Sequence, residues 1–254
     1  MCLIFLSYKQ NKNYPLVVLA NRDEFYKRPT QSAHYWEGNP NILAGKDLEG
    51  GGTWMGITKN GYMSMLTNYR DIANIKPNAP TRGKLVSDYL QSEQNPKEYL
   101  LALSKTGSNY NGYSLITGSF NDPWYYSNYG NKVAQLGTGL YGLSNALLDS
   151  KWPKVETGKS MLAPLLVQEK IDKESLFNLM TNTVMAEESH LPETGLPLEK
   201  EKAISPMFIN IEGYGTRCTT LILVDKNGKV DFTERQYANG LATGEENNFS
   251  FEVG

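Results

Sequence analysis

The chain of 254 residues carries only two cysteines, Cys2 and Cys218, and two histidines, His34 and His190. Two thiols make no disulfide framework. No cluster of His and Cys has metal-ligand spacing, so a metal site is not expected. A Ser-His-Asp triad would need His34 in QSAHYW or His190 in EESHLP. Neither lies in a catalytic context, and both read as solvated loop residues. Basic charge is not in excess: 25 Lys and Arg stand against 27 Asp and Glu, a net charge of −2. That balance argues against a nucleic-acid partner. No apolar run approaches the ~20 residues of a membrane-spanning helix. The opening LIFLS lacks a charged segment before it and gives way at once to KQNKN, unlike a signal peptide. Internal repeats, low-complexity tracts and linker composition are missing too. These absences predict one cytoplasmic domain, residues 1–254, with no cofactor and no membrane span.

What is present is a chain of ordinary globular composition, 40% hydrophobic and 20% charged. Cys2–Tyr8 and Leu16–Ala20 are apolar and β-rich, and the polar KQNKNYP between them predicts a hairpin of two buried strands. The four polar residues NRDE are expected to close the second strand. Thr53–Asn68 holds a second hairpin with its turn at Lys59-Asn60-Gly61. Gly50-Gly51-Gly52 before it implies a bend or a close backbone approach. Helical spacing begins near Thr81, and a second helix begins after Asn95, with Pro96 at its first position. Strands are expected at Tyr113–Gly118, Trp124–Asn128 and Val133–Leu136, then a loop over TGLYGLSNALLDS. Helices follow from Trp152-Pro153 toward Val167 and over Asp172–Met180. Glu187–Lys202 reads as an exposed loop. A hairpin of Thr219–Val224 and Val230–Tyr237 turns at Asn227-Gly228. This order of hairpins and helix pairs predicts a layered α+β fold.

Cys2 is the residue that invites chemistry. Removal of Met1 would make it a nucleophile and a free amine together. An α-amine of pKa ~7.7–8.0 can take the thiol proton without any histidine. By position alone, a small buried hydrophobe is the simpler reading of Cys2. The hairpin changes that balance, because it returns Asn21, Arg22, Asp23 and Glu24 beside the start of the first strand. A nearby Arg lowers a thiol pKa, and an Asp can hold a protonated amine. Adjacent strand residues face opposite sides. Arg22 and Asp23 therefore both face Cys2 only if the strand ends or bulges there; Asn21 with Asp23, or Arg22 with Glu24, are the alternative pairs. Asn68 in LTNYRD and Asn145 in GLSNA are candidate amide donors for an oxyanion. Trp54 in GGTWMG is a candidate pocket wall. Cys218 reads as a packed thiol, and Arg217 beside it as a strand-end charge. Met63 and Met65 share one strand face and read as core.

Six blocks in order, MCLIF, NRDEF, LAGKDLEGGGTWMGIT, MLTNYRD, YGLSNALLDSKWPKV and GTRCTTLILV, resemble the NRDE family, which includes the transport and Golgi organisation protein 2 homologues. The resemblance covers nearly the whole chain. It implies the N-terminal nucleophile hydrolase superfold, a four-layer αββα sandwich. Cysteine members of that superfold, such as penicillin V and bile-salt amidases, use an N-terminal Cys. Carried over by position, Cys2 is the nucleophile, Arg22 and Asp23 the second-strand pair, Asn145 an oxyanion donor and Arg217 the late arginine. Asn21, Glu24, Asn68 and Trp54 would line the substrate site. In those amidases two residues separate the Arg from the Asp, whereas Arg22 and Asp23 are adjacent. The expected activity is hydrolysis of a linear amide of a small or acylated molecule. The alternative is a binding or carrier protein for haem or a lipid or acyl metabolite. A glutamine-dependent amidotransferase is the weaker third reading, because no synthase module follows.

Overall fold

The computed structural model describes residues 2–253. Whether Met1 is removed concerns a residue outside them. In chain order the elements are β1 Cys2–Tyr8, β2 Leu16–Phe25, β3 Thr30–Trp36, β4 Asn39–Asp47, β5 Met55–Thr58 and β6 Tyr62–Asn68. Then come α1 Gly83–Ser92, α2 Pro96–Thr106, β7 Tyr113–Ser119, β8 Asp122–Ser127, β9 Ala134–Gln135 and β10 Gly139–Leu143. The last third holds α3 Pro153–Leu166, α4 Lys173–Met180, α5 Leu198–Ala203, β11 Asn210–Ile211, β12 Tyr214–Val224, β13 Lys229–Ala238 and β14 Leu241–Glu252.

The strands form two sheets. One runs in the order β10-β1-β2-β12-β13-β14, with β11 added to β12; the other runs β3 to β9 in sequence. Every strand pairing described is antiparallel. Alternation along β1 and β2 divides the core. Ile4, Leu6, Val18 and Ala20 join Leu43, Met55, Ile57, Met63 and Met65 between the sheets. Leu3, Phe5, Val17 and Leu19 face Val155 and Leu162 of α3 and Leu176 and Phe177 of α4. On the far side, Leu85, Val86 and Leu90 of α1 and Leu100 of α2 cover Ile42, Leu66 and Leu115. The result is the expected four-layer αββα order. Buried on both faces, β1 gains about 1.5–3 kcal/mol from each large apolar side chain it hides.

Several expectations hold in detail. The second hairpin turns at Gly61, whose φ is +82°. Asn95 caps α2, its side chain accepting from the Glu98 N–H at 3.2 Å. Gly51 has φ +74°. Gly52 lies so close to α1 that an added Cβ would stand 2.4 Å from the Gly83 carbonyl carbon.

Four expectations are corrected. NRDE does not end β2: the strand continues to Phe25, and Asn21, Arg22 and Asp23 are buried. The polar side chains of Asn21 and Asp23 are tolerated because β12 and the helix side supply hydrogen-bond partners, and the Arg22 guanidinium lies over Trp54 of the other sheet. The segment TGLYGLSNALLDS is not all loop, since Gly139–Leu143 pairs with β1. Glu187–Lys202 is not a plain exposed loop, since it carries most of α5 and a buried Glu201 ion-paired to Arg70. His34 lies in β3, half-buried, with Nδ1 at 2.8 Å from the Ser32 carbonyl. Strands β3, β4 and β14 had no reading in the sequence. No helix among the described residues is long and apolar enough to cross a membrane.

Candidate active site

Antiparallel pairing places Cys2 directly opposite Arg22. β12 lies on the other side of β2 and pairs Thr216 with Asp23 but Cys218 with Arg22. Arg217 is thus the extra residue of a β-bulge, sited at the Arg22–Asp23 junction. A bulge bends its strand and re-aims side chains nearby. The bulge lies in β12, not in the NRDE strand. Cys2, Arg22 and Asp23 all line one cavity of about 400 Å³ at the open end of the sandwich.

Each side chain there is held for an identifiable reason. The Arg22 guanidinium lies over the Trp54 indole, 4.2 Å from the ring centre. The indole fits because Gly45 has no side chain; an added Cβ would approach it within 2.2 Å. Asp23 Oδ1 accepts from the Thr216 hydroxyl at 2.7 Å. Burial raises the Asp23 pKa, and Lys154, Thr216 and Arg22 oppose that rise. Lys154 is buried on α3, and its ammonium donates to the Ile204 carbonyl at 3.0 Å. Burial brings its pKa down to about 8 against the pull of Asp23. Burial also raises the Cys2 thiol pKa, although Arg22 and the Asp23 backbone favour the thiolate. The thiol therefore needs a proton acceptor to react.

Of the expected residues, Glu24, Trp54 and Asn68 also line the Cys2 cavity. Asn21 points away from it. Its amide donates to the Met180 and Met207 carbonyls at 2.9 and 2.8 Å and accepts from Thr219, tying β2 to the helix layer. Arg217 is not a wall of the cavity either. Its Nη1 donates to the Phe25, Tyr26 and Arg28 carbonyls at 3.0–3.3 Å and clamps the turn after β2. Asn145 is fully buried beyond the end of β10. The register that pairs Ile4 with Leu143, continued two residues, brings it level with Cys2. Its Nδ2 donates to the Asn68 carbonyl at 2.9 Å, and its Oδ1 accepts from Arg70 at 3.3 Å.

Two cavity residues, Arg82 and Arg28, and the buried Lys154 escaped the sequence reading. Arg82 precedes α1 and reaches the site because Gly52 and Gly83 let that helix approach. Its Nη1 donates to the Gly112 carbonyl at 2.8 Å. Arg28 is held by Asp47 and Glu49, both at 2.9 Å. The first two signals, an Arg before a helix and a Gly triplet, were visible but lay too far apart in sequence to connect. Lys154 is buried within electrostatic reach of Asp23 and looked like an ordinary helix lysine. Among the described residues no group of three or more His, Cys, Asp and Glu could hold a metal ion.

Comparison with known proteins places this geometry. The chain resembles a C2A mutant of conjugated bile acid hydrolase from Clostridium perfringens, with a TM-score of 0.52, 10% identity and coverage of 100% of this chain and 98% of the other. It also resembles a Caenorhabditis elegans orthologue of N-acylethanolamine-hydrolyzing acid amidase, with a TM-score of 0.50 and 12% identity, covering 87% of this chain and 92% of that one. At such identity the likeness shows the fold alone, that of the N-terminal nucleophile hydrolases. Sequence relatives are nearer. The mouse Transport and Golgi organization 2 homologue is 38% identical and the human one 36%, each match covering 92% of both chains. The Drosophila melanogaster Transport and Golgi organization protein 2 is 29% identical over 92% of this chain and 91% of its own. The profile of the family described as Transport and Golgi organisation 2 matches residues 1–239, and the chain belongs to that family.

Proposed function

We propose that the protein is a cysteine amidohydrolase acting on the C–N bond of a small-molecule amide, working in the cytoplasm. The observation that carries this reading is the placement of Cys2. It begins a core strand, opposite Arg22, and its side chain enters a cavity shared with Asp23. Loss of Met1 would put an α-amine on the same residue, beside Asp23. The amine takes the thiol proton, and the sulfur attacks the carbonyl carbon. The C–N bond breaks, the leaving amine carries the proton away, and water then hydrolyses the thioester to a carboxylic acid and restores the thiol. Asp23 holds the ammonium form of the amine, and Arg22 favours the thiolate. Asn68 and the Asn145 amide beside it are the candidate oxyanion donors.

Intact mass of the purified protein shows whether Met1 is gone. The processed protein is then incubated with an electrophilic acyl probe. An adduct on Cys2, lost in Cys2→Ala, is expected; processed protein that stays unmodified would overturn the reading.

A second reading is favoured by the burial that keeps the thiol protonated. In it the cavity binds haem or an acylated metabolite without turning it over. Among the described residues no histidine and no methionine lines the cavity, so haem would be held through Cys2. Haem titration of the wild type and Cys2→Ala separates the two: a haem spectrum that depends on Cys2 supports the carrier.

A further inference from the structure

Beside the Cys2 cavity lies a second concavity of about 420 Å³. The two share Glu24, Asn68, Arg82 and Asn111, so they are lobes of one depression. Their chemistry differs. The Cys2 lobe is walled by Arg22, Asp23, Arg28, Asp47 and Glu49 together with the shared residues. The second lobe brings together Phe25, Tyr69, Ile72, Ile75, Leu196 and Tyr214. Phe25 is 62% exposed, Ile75 58% and Ile72 39%. These side chains come from separate stretches: the end of β2, the segment after β6, the approach to α5 and the start of β12. Large apolar groups from distant segments that converge on one concave surface, three of them exposed, mark a ligand site. The polar groups of this lobe are largely occupied within the protein. Arg70 pairs with Glu201, Asp71 accepts from Tyr129 at 2.6 Å, and Asn145 is tied to Asn68.

We propose that this lobe takes the apolar half of an amphiphilic amide, an N-acyl chain of medium to long length, while the scissile bond and the polar half lie in the Cys2 lobe. The proposal rests on the amidase reading and names its substrate class. Continuity of the two lobes carries it: a chain bound across Phe25, Ile72 and Ile75 passes Asn68 and Arg82 before it reaches Cys2. Arg82 stands on the boundary with one nitrogen spent on Gly112, which leaves the remainder of its guanidinium for an acceptor on the polar half. Arg28 is already neutralised by Asp47 and Glu49 and is not needed there.

The test titrates the full chain, as Cys2→Ala to prevent turnover, with N-acetylglycine, N-octanoylglycine and N-dodecanoylglycine by calorimetry. Affinity is expected to rise at least about tenfold from acetyl to octanoyl, because each methylene buried adds to binding. Ile75→Asp should remove that gain and leave the affinity for N-acetylglycine unchanged. Equal affinity at all three lengths, binding of none, or a gain that survives Ile75→Asp together with Phe25→Asp overturns the proposal. So does sedimentation showing a wild-type dimer that Ile75→Asp lacks, since the lobe would then belong to a second copy. Failure of the amidase reading looks different: binding that depends on chain length, with no acyl adduct on processed wild-type Cys2, keeps the lobe and removes the chemistry.

Discussion

The Cys2 thiol is held protonated by its burial, despite Arg22 beside it. Its alkylation by iodoacetamide should therefore keep accelerating through pH 9 rather than level off below it, and intact mass against time at several pH values reads this directly. Arg22 is stacked on Trp54. A desolvated stacking of this kind is worth up to about 2 kcal/mol, so Trp54→Leu should cost about that much stability in denaturant titration and lower acyl-probe labelling at Cys2. Lys154 is the other telling residue. Its folded pKa of about 8 lies below the ordinary lysine value of 10.5. Between those values the unfolded chain binds more protons than the folded one, so stability rises with pH across that window. Below about pH 8 both states are protonated and the slope vanishes. The buried thiols and tyrosines, whose pKa values are raised, pull the other way in both proteins, so urea titrations at intervals from pH 7 to 10.5 should show the stability of the wild type relative to Lys154→Met rising across that window. Part of this was legible from the residues. Cys2, Arg22 and Asp23 were expected together, because a hairpin must return its second strand beside its first. Which of the NRDE side chains would face Cys2 was not legible, because their partners lie far along the chain: β2 keeps an unbroken register with β1, Arg22 meets Trp54 of the other sheet, and Asp23 meets Thr216 of β12.

At the scale of elements, α3 and α5 each have one close contact, among several, that a single substitution can test. α3 crosses β1 at Gly158, where an added Cβ would stand 2.1 Å from Phe5 Cζ. Gly158→Ala favours the helix intrinsically yet overpacks this crossing. It should cost about 1–3 kcal/mol, a sign opposite to helix propensity and measurable by denaturation. α5 is held by the ion pair of Glu201 with Arg70, whose side chains are 3% and 5% exposed. Removing one partner strands the other charge, so Glu201→Gln should cost about 3–5 kcal/mol. The same substitution should loosen Asn145, which shares Arg70. The short helix was missed because Pro, Glu and Lys dominate Glu187–Lys202, and only tertiary burial of one glutamate turns that composition into structure. β14 was missed for the converse reason: nearly every residue of the strand is exposed or half-exposed, so no buried alternation marks it.

For the whole molecule, the layered order followed from hairpins that cannot bury both faces alone and helix pairs that must cover them. The strand order of each sheet did not follow. β10 reaches β1, and β12 reaches β2, only through connections whose length says nothing about where they return. That topology makes β2 an inner strand, flanked by β1 and β12, and sets its polar end in the floor of a depression shared by both sheets. A site built at such a seam depends on both sheets keeping their spacing, which is why Gly45 and Gly52, remote from any chemistry, matter to Trp54 and Arg82.

The same topology sets two sulfurs on either side of one arginine. Cys2 pairs with Arg22 across one strand boundary and Cys218 across the other, yet Cys218 is sealed at 2% exposure while Cys2 opens on the cavity. A folded sample therefore offers one reactive sulfur and an unfolded sample two. Counting alkyl groups on the intact chain, first native and then in denaturant, yields the fraction of molecules with a competent site, with the sealed thiol serving as an internal standard for the open one.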